Sequence, residues 1–325
     1  MISQVVFAKF LGNMDTILHK TKSLFAFNYL YVIESLDEND GDKLTGTSLL
    51  ERLKPYADNR LSTALITVET VGQWREAMDY LKVKAKNGQR PMIHFEIHGT
   101  DEKDGLYIKN GDVVEWPEVL QRISEINYAC GCNLLVSFAV CYGEFLAQYI
   151  NAYHRMPFCL SLGSFEVLYE DDLEERFFAF YKELITNLDV DKAFQALIDA
   201  KKDMPSKYTL IKADVLFAQV LKSYLENKCT RKALILRAEE SIVDYPEKFK
   251  NMSPKEIRQF KKDFVKCERE NHETFYKESY ENYFQLNEHP ENKERFLIFT
   301  SSEDLLNAFK KKRYEINTMF EEEVL

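Results

Sequence analysis

The sequence predicts an α/β fold: a mainly parallel sheet flanked by helices, followed by a mainly helical extension. Up to residue 204, short apolar runs bounded by turn residues alternate with segments of helical periodicity. This alternation is typical of doubly wound sheets, in which buried parallel strands are apolar along their whole length. Strand patterns become rare further on. We therefore predict a sheet-containing domain over residues 1–204 and a helical extension over residues 205–325.

Each predicted element rests on a local pattern. The apolar runs predict core strands at 29–33, 63–68, 92–97, 134–140 and 157–162. Asn110-Gly111 predicts a hairpin turn after the third of these strands. Apolar residues at helical spacing predict helices from Thr45 or Thr47 to Leu53, and at 71–85, 116–128, 144–153 and 190–200, with another beginning near Asp171. In the extension they predict helices at 213–225, 231–243 and 254–283, and a short strand is predicted at 296–299.

Composition excludes several classes of protein. The chain has 325 residues, 45% hydrophobic residues and a net charge of −10, which argues against direct binding to a nucleic-acid backbone. No apolar run approaches the ~18 residues of a membrane span, and no secretory leader pattern opens the sequence. We expect a cytoplasmic protein whose six cysteines stay reduced.

Two strand ends carry the candidate chemistry. His98-Gly99 follows one apolar strand, and Cys141-Tyr142-Gly143 follows the next core strand. Parallel neighbours lie about 4.8 Å apart, so the imidazole and the thiol are expected side by side at the carboxyl edge of the sheet. Open α/β sheets bind their ligands at this edge.

These residue types suit nucleophilic catalysis. Cys141 is the candidate nucleophile, and His98 is the candidate base that generates and holds the thiolate. The backbone N–H groups of Gly99 and Cys141 are candidate donors to an oxyanion. The N-terminus of the helix predicted at 144–153 would also favour an anion near the sulfur.

This stretch resembles the caspase-like (clan CD) cysteine peptidases, over roughly residues 28–200. In that group a His-Gly follows one strand and the cysteine follows the next. The caspase histidine precedes its cysteine motif by ~50 residues, and here the separation is 43 residues. Val140-Cys141-Tyr142-Gly143 keeps Cys-x-Gly but lacks the caspase Gln-Ala, a departure that favours the bacterial CHAT-domain proteases.

The resemblance implies a cysteine endopeptidase that cleaves a protein or peptide substrate without a cofactor. It further implies activation by a protein partner or signal, and a role in bacterial, including antiviral, defence. The main alternative is a catalytically inactive caspase-like scaffold that binds a protein partner. A small-molecule α/β hydrolase that uses a cysteine is a third possibility, although no Gly-x-Ser-x-Gly elbow supports a serine version.

Acidic residues after the strand at 157–162 are candidate substrate-binding groups. In the resembled families this region helps to form the pocket for the residue before the scissile bond. Glu166, Asp171 and Asp172 would there favour Arg or Lys. The alternative is that Asp171 or Asp172 caps a helix.

Other polar residues are interpreted as structural. His94 and Glu96 share a strand face with His98, but alternate residues are ~6.6 Å apart along a strand, so we expect them to bond other partners. Cys130, Cys132, Cys159 and His154 lack the spacing of a zinc module, and no metal site is predicted. The basic run at 310–313 is interpreted as a solvated helix end.

Overall fold

The computed structural model describes residues 25–57, 61–151, 154–202, 205–296, 299 and 301–307. The chain divides into two compact units. The first comprises residues 1–150 and 155–213, and the second comprises residues 151–154 and 214–325. The strand predicted at 296–299 and the basic run at 310–313 lie wholly or partly outside the described residues.

The first unit contains one mixed sheet. Its strands run in the order β2-β1-β3-β6-β7-β8, and a β4–β5 hairpin extends the end of β3. Along this order the pairs β2–β1, β1–β3, β3–β6 and β6–β7 are parallel, whereas β7 and β8 are antiparallel. The strands are β1 (Tyr29–Ser35), β2 (Ser62–Thr67), β3 (Pro91–Gly99), β4 (Gly105–Tyr107), β5 (Val113–Glu115), β6 (Leu135–Ala139), β7 (Leu160–Ser164) and β8 (Tyr208–Lys212).

Helices cover both faces of this sheet. Phe138 of β6 packs edge-on to Trp116 on one face, while Ser137 meets Tyr181 on the other. Since neighbouring strand residues point to opposite faces, these contacts place the helices of Trp116 and Tyr181 on opposite sides. The helices are α1 (Thr45–Ala57), α2 (Val71–Lys86), α3 (Trp116–Ala129), α4 (Glu170–Asn187) and α5 (Val190–Asp199).

The prediction of an α/β fold with a mainly parallel sheet flanked by helices is confirmed. The sheet extends beyond residue 204, where the sequence pattern placed a boundary. Strand β8 pairs Thr209 with Gly163 and Tyr208 with Ser164, so the last strand of the first unit lies between residues 204 and 213.

The second unit is helical over its described residues. Its helices are α6 (Ala213–Lys228, of which Ala213 belongs to the first unit), α7 (Arg231–Asp244), α8 (Pro246–Phe249), α9 (Pro254–Glu270), α10 (His272–Tyr283) and α11 (Asn292–Arg295). Ser253 begins α9 with a capping box, in which its hydroxyl accepts from the N–H of Glu256 and the Glu256 carboxylate accepts from the N–H of Ser253. Among the described residues, no helix is long and apolar enough to cross a membrane.

Candidate active site

Strand register brings His98 and Cys141 to the same level of the sheet. The β3–β6 ladder pairs residues 43 positions apart, from Met92 with Leu135 to Glu96 with Ala139. His98 and Cys141 have the same separation and follow the last pair by two residues. Continuation of this offset by two residues would place His98 beside Cys141, but the chain turns at 140–143, where Gly143 donates its N–H to the carbonyl of Val140.

Gly99 confirms that the two chain segments stay adjacent beyond the ladder. A Cβ atom placed on Gly99 would lie 1.9 Å from the carbonyl oxygen of Cys141. No side chain fits into that space, because the contact is with backbone that cannot rotate away. Glycine at this position therefore allows the residue after His98 to touch the backbone of Cys141.

Pairing at the end of β3 also orients the N–H of Gly99. Thr100 donates its N–H to the carbonyl of Gly105 (3.2 Å), while Gly99 pairs with Leu106 in the antiparallel register. Since hydrogen-bonded and non-hydrogen-bonded pairs alternate, the N–H of Gly99 points away from β4. It is thus not used by the β3–β4 hairpin.

Asp42 binds the imidazole of His98. Its carboxylate oxygens lie 3.0 and 3.1 Å from Nε2 of His98. The same carboxylate accepts the N–H of Asp37 (2.8 Å), so Asp42 also closes the loop that follows β1. The His98 side chain is 51% exposed and that of Asp42 is 19% exposed. When Nε2–H donates to Asp42, the lone pair of the neutral imidazole is on Nδ1, which can then accept a proton.

Asp42 and Cys141 follow β1 and β6, and His98 lies near the end of β3, the parallel strand between them. The sequence indicated a polar turn after β1 but gave no reason to choose Asp42 from several carboxylates there. Loop closure by the N–H of Asp37, which positions this carboxylate, has no local sequence signature.

The sulfur of Cys141 is held by backbone groups of Leu168. Sγ lies 3.4 Å from the N–H nitrogen and 3.8 Å from the carbonyl oxygen of that residue. The next residue, Tyr142, has φ 62° and ψ 18°, the left-handed region that non-glycine residues seldom adopt. Its N–H donates to the backbone carbonyl of Glu166. Among the described residues, no hydrogen bond joins the Cys141 thiol to the His98 imidazole.

A helix follows Cys141, but it differs in type and length from the one predicted at 144–153, of which residues 152 and 153 lie outside the described residues. The turn after Cys141 leads into a short 3-10 helix, Gly143–Tyr149, whose first five residues are buried. Because this segment packs directly under the sheet edge, with Gly143 tight against Phe138, it lacks the exposed face of an ordinary amphipathic helix. A helix dipole beside the sulfur is therefore not available in the form that the sequence suggested.

Glu144 in this 3-10 helix is a fully buried carboxyl group. Its Oε1 accepts the hydroxyl of Ser161 (2.9 Å), whereas Oε2 has no hydrogen-bond partner among the described residues. Burial raises the pKa of Glu144 from 4.5 to about 8, and the Ser161 bond opposes this only in part. Glu144 is thus a neutral acid at neutral pH, three residues from Cys141.

His94 and Glu96 have structural partners, as predicted. His94 Nε2 lies 2.8 Å from Glu96 Oε1, and Glu96 Oε2 accepts the hydroxyl of Thr45 (2.7 Å). His94 Nδ1 lies 2.7 Å from Ser137 Oγ, which lies 2.5 Å from the hydroxyl of Tyr181. If Nε2 carries the His94 proton, every bond in this buried chain has one donor and one acceptor.

The three candidate substrate-binding carboxylates all have cationic partners. Glu166 lies 3.3 Å from Lys207, and Asp171 lies 2.7 Å from Lys43, both on the surface. Asp172 is buried and accepts from Nε of Arg176 at 2.5 Å. The structure does not gather the three into one anionic cluster around a common partner. A preference for Arg or Lys before the cleaved bond stays a prediction that these contacts do not support.

Arg176 is the buried centre of a joint between α4 and α5. Besides Asp172, its guanidinium donates to the carbonyls of Leu197 and Ile198 (2.9 Å each), near the end of α5. The i,i+4 spacing of Asp172 and Arg176 is a sequence signal for this pair.

Within the described part of the chain, no group of three or more His, Cys, Asp or Glu residues is arranged to hold a metal ion. Comparison with models of known protein families finds no match, and comparison with curated protein sequences also finds none. The chemistry of the site is therefore argued from its own residues.

We predict that Asp172→Ala destabilises the protein by about 3 kcal/mol, because it leaves the guanidinium of Arg176 buried without its carboxylate. Asp171→Ala removes an exposed carboxylate and should leave the urea midpoint nearly unchanged. Urea unfolding of both variants checks this. Equal midpoints for the two variants would contradict the structural role of Asp172.

We predict that Glu144→Gln removes part of the pH dependence of stability. Between pH 4.5 and about 8 the folded protein binds the Glu144 proton and the unfolded chain does not, so the free energy of unfolding falls as pH rises. The pKa difference corresponds to about 5 kcal/mol across that window. The variant should gain stability over the parent as pH rises from 5 to 8, measured by urea unfolding, whereas the exposed control Glu166→Gln should not. Parallel curves for parent and Glu144→Gln would refute this.

Proposed function

We propose that this chain is a cysteine endopeptidase in which Cys141 attacks the scissile carbonyl of a polypeptide. The observation that supports this best is the alignment of His98 with Cys141 at one sheet edge, with Gly99 in contact with the backbone of Cys141. A thiol, an imidazole and backbone N–H donors at such an edge are the parts that acyl transfer requires.

In the proposed reaction, Nδ1 of His98 takes the thiol proton and the sulfur adds to the carbonyl carbon. The oxyanion is held by the N–H groups of Gly99 and Cys141, the first of which is not used by the β4 pairing. His98 then gives its proton to the leaving amine as the peptide bond breaks. Water hydrolyses the resulting thioester, with His98 as base, and restores the thiol.

Asp42 acts in this scheme as a positioning residue. By accepting Nε2–H of His98, it holds the tautomer that leaves Nδ1 as the proton acceptor. A peptide substrate fits the location, because an extended chain can lie along an open sheet edge with alternate side chains in pockets. An activating partner and a role in bacterial defence rest on the family resemblance alone.

A catalytically inactive scaffold is the second candidate. The observation in its favour is that Sγ of Cys141 contacts Leu168, while the imidazole of His98 is bonded to Asp42. An enzyme and a scaffold differ in the reactivity of Cys141, which can be measured without knowing the substrate.

We predict that limiting iodoacetamide labels Cys141 before Cys267, as read by peptide mass mapping. Cys267 is exposed and Cys141 is only partly exposed, so accessibility alone predicts the opposite order. Activation by His98 reverses it, because the thiolate is the reacting form. His98→Ala should slow the labelling of Cys141 and leave that of Cys267 unchanged.

Cleavage of a peptide library by the purified chain should be lost in Cys141→Ala and retained in Cys267→Ala. Labelling of Cys267 first, unaffected by His98→Ala, together with no cleavage, would favour the scaffold. Cleavage retained in Cys141→Ala would reject Cys141 as nucleophile.

We predict that Asp42→Asn lowers kcat by about tenfold to a hundredfold with little change in KM, less than the ~10²–10⁴ that general acid–base catalysis contributes. The amide has one uncharged acceptor oxygen, and its NH2 group can donate to an unprotonated Nε2, so a larger share of His98 adopts unproductive tautomers and orientations. The labelling rate of Cys141 should fall in parallel. Glu38→Gln, an exposed charge in the same loop, is the matched control and should change neither rate. Equal rates in Asp42→Asn and its control would remove Asp42 from the mechanism.

A further inference from the structure

Helices α7 and α9 of the second unit pack side by side in opposite directions. Lys261 pairs with Glu239 at 2.6 Å, and Arg237 pairs with Glu268 at 3.0 Å. From the first pair to the second, the residue number falls from 239 to 237 on α7 and rises from 261 to 268 on α9. The two helices are therefore antiparallel. One side of this helix pair forms a groove of about 510 Å³.

The rim of this groove is basic. It carries five cationic residues, Arg231, Lys261, Lys262, Lys266 and Arg269. The groove is thus locally positive, although the net charge of the whole chain is −10.

Two carboxylates reduce that positive charge without cancelling it. Glu239 holds Lys261, and Glu270, the only acidic residue of the described lining, lies 3.8 Å from Lys266. Among the described residues, Arg231, Lys262 and Arg269 form no ion pair. The groove therefore keeps cationic side chains that are available to an anionic partner.

The floor of the groove is aliphatic. Ile235 of α7 and Val265 of α9 line it, and both are partly exposed. Apolar side chains between cationic ones suit a ligand with an apolar stripe and anionic flanks. An amphipathic helix that is rich in Glu or Asp has this pattern, with its stripe on the floor and its carboxylates at the rim.

We propose that this groove, lined by α7 and α9, is a docking site for an acidic amphipathic helix of a partner protein. Nucleic acid fits less well, because an aliphatic floor provides no aromatic surface for base stacking and the negative net charge repels a phosphate backbone. The proposal does not depend on the peptidase activity, since it uses only residues of the second unit.

The test uses the full chain and a fluorescent synthetic helix of about 15 residues, roughly four turns, with Leu on one face and Glu elsewhere. Fluorescence anisotropy should show saturable binding that weakens with added salt. A peptide with Ser in place of Leu should bind at least about tenfold more weakly, since it lacks the apolar stripe. A peptide of the same composition in shuffled order should also bind weakly.

Two variants locate the binding to the groove. Lys262→Glu combined with Arg269→Glu should weaken binding of the peptide by about tenfold or more, because both charges face the ligand. Lys255→Glu, an exposed change on the same helix but outside the groove, should alter it by less than about twofold. Lys255, Lys262 and Arg269 are all exposed, so we expect both variants to fold. Circular dichroism of each variant checks this.

Several outcomes would overturn the proposal. They are the absence of saturable binding, equal binding of the Leu and Ser peptides, and equal effects of the groove variant and its control. Tighter binding of double-stranded DNA than of the acidic peptide would assign the surface to nucleic acid instead.

Discussion

The alignment of the candidate site depends on a buried polar chain between the two central strands. On the face covered by α4, Ser137 of β6 bonds both His94 of β3 and Tyr181 of α4, and His94 bonds Glu96. A slip of β6 by one residue would turn Ser137 to the opposite face and leave His94 and Tyr181 buried without its hydroxyl. The polar chain therefore fixes the register, and the register fixes which residues meet at the carboxyl edge.

Beyond the last ladder pair, backbone contacts replace strand pairing. Gly99 touches the carbonyl of Cys141, and the segment at 166–168 binds the N–H of Tyr142 and the sulfur of Cys141. The left-handed conformation of Tyr142 costs on the order of 1 kcal/mol, which these surrounding contacts must offset. Buried Glu144, packed against Gly163 and bonded to Ser161, ties the same turn to β7. The cysteine thus lies on a turn that is held from several sides.

The sequence locates the central strands because apolar runs are local patterns, although β1, β3 and β7 each end two residues later than the predicted runs. Apolar runs ended by His98-Gly99 and Cys141-Tyr142-Gly143 locate two central strands and the order of the residues that follow them. Asp42 was missed because its position depends on loop closure and on the pairing of β1 with β3, which is not local.

Two further differences have equally specific causes. Residues 143–147 are all buried, so helical periodicity carries little information about the segment predicted as a helix at 144–153. The three acidic residues after β7 were treated as one group, whereas the structure pairs each with a different cation. Of these pairs only Asp172 with Arg176 has local spacing.

In the proposed reaction, the thiol and the imidazole must come together from separate hydrogen bonds, and the structure favours movement of the sulfur. A sulfur atom is a weak acceptor, and its contacts with Leu168 are long, at 3.4 and 3.8 Å. The imidazole of His98 lies 3.0 Å from a carboxylate that is itself fixed by the N–H of Asp37. Rotation about the Cα–Cβ bond of Cys141 breaks these two long contacts and leaves both the backbone turn and the bond between His98 and Asp42 in place. In the proposed reaction the sulfur is therefore the group that gives up its contacts, while Asp42 keeps the imidazole in position.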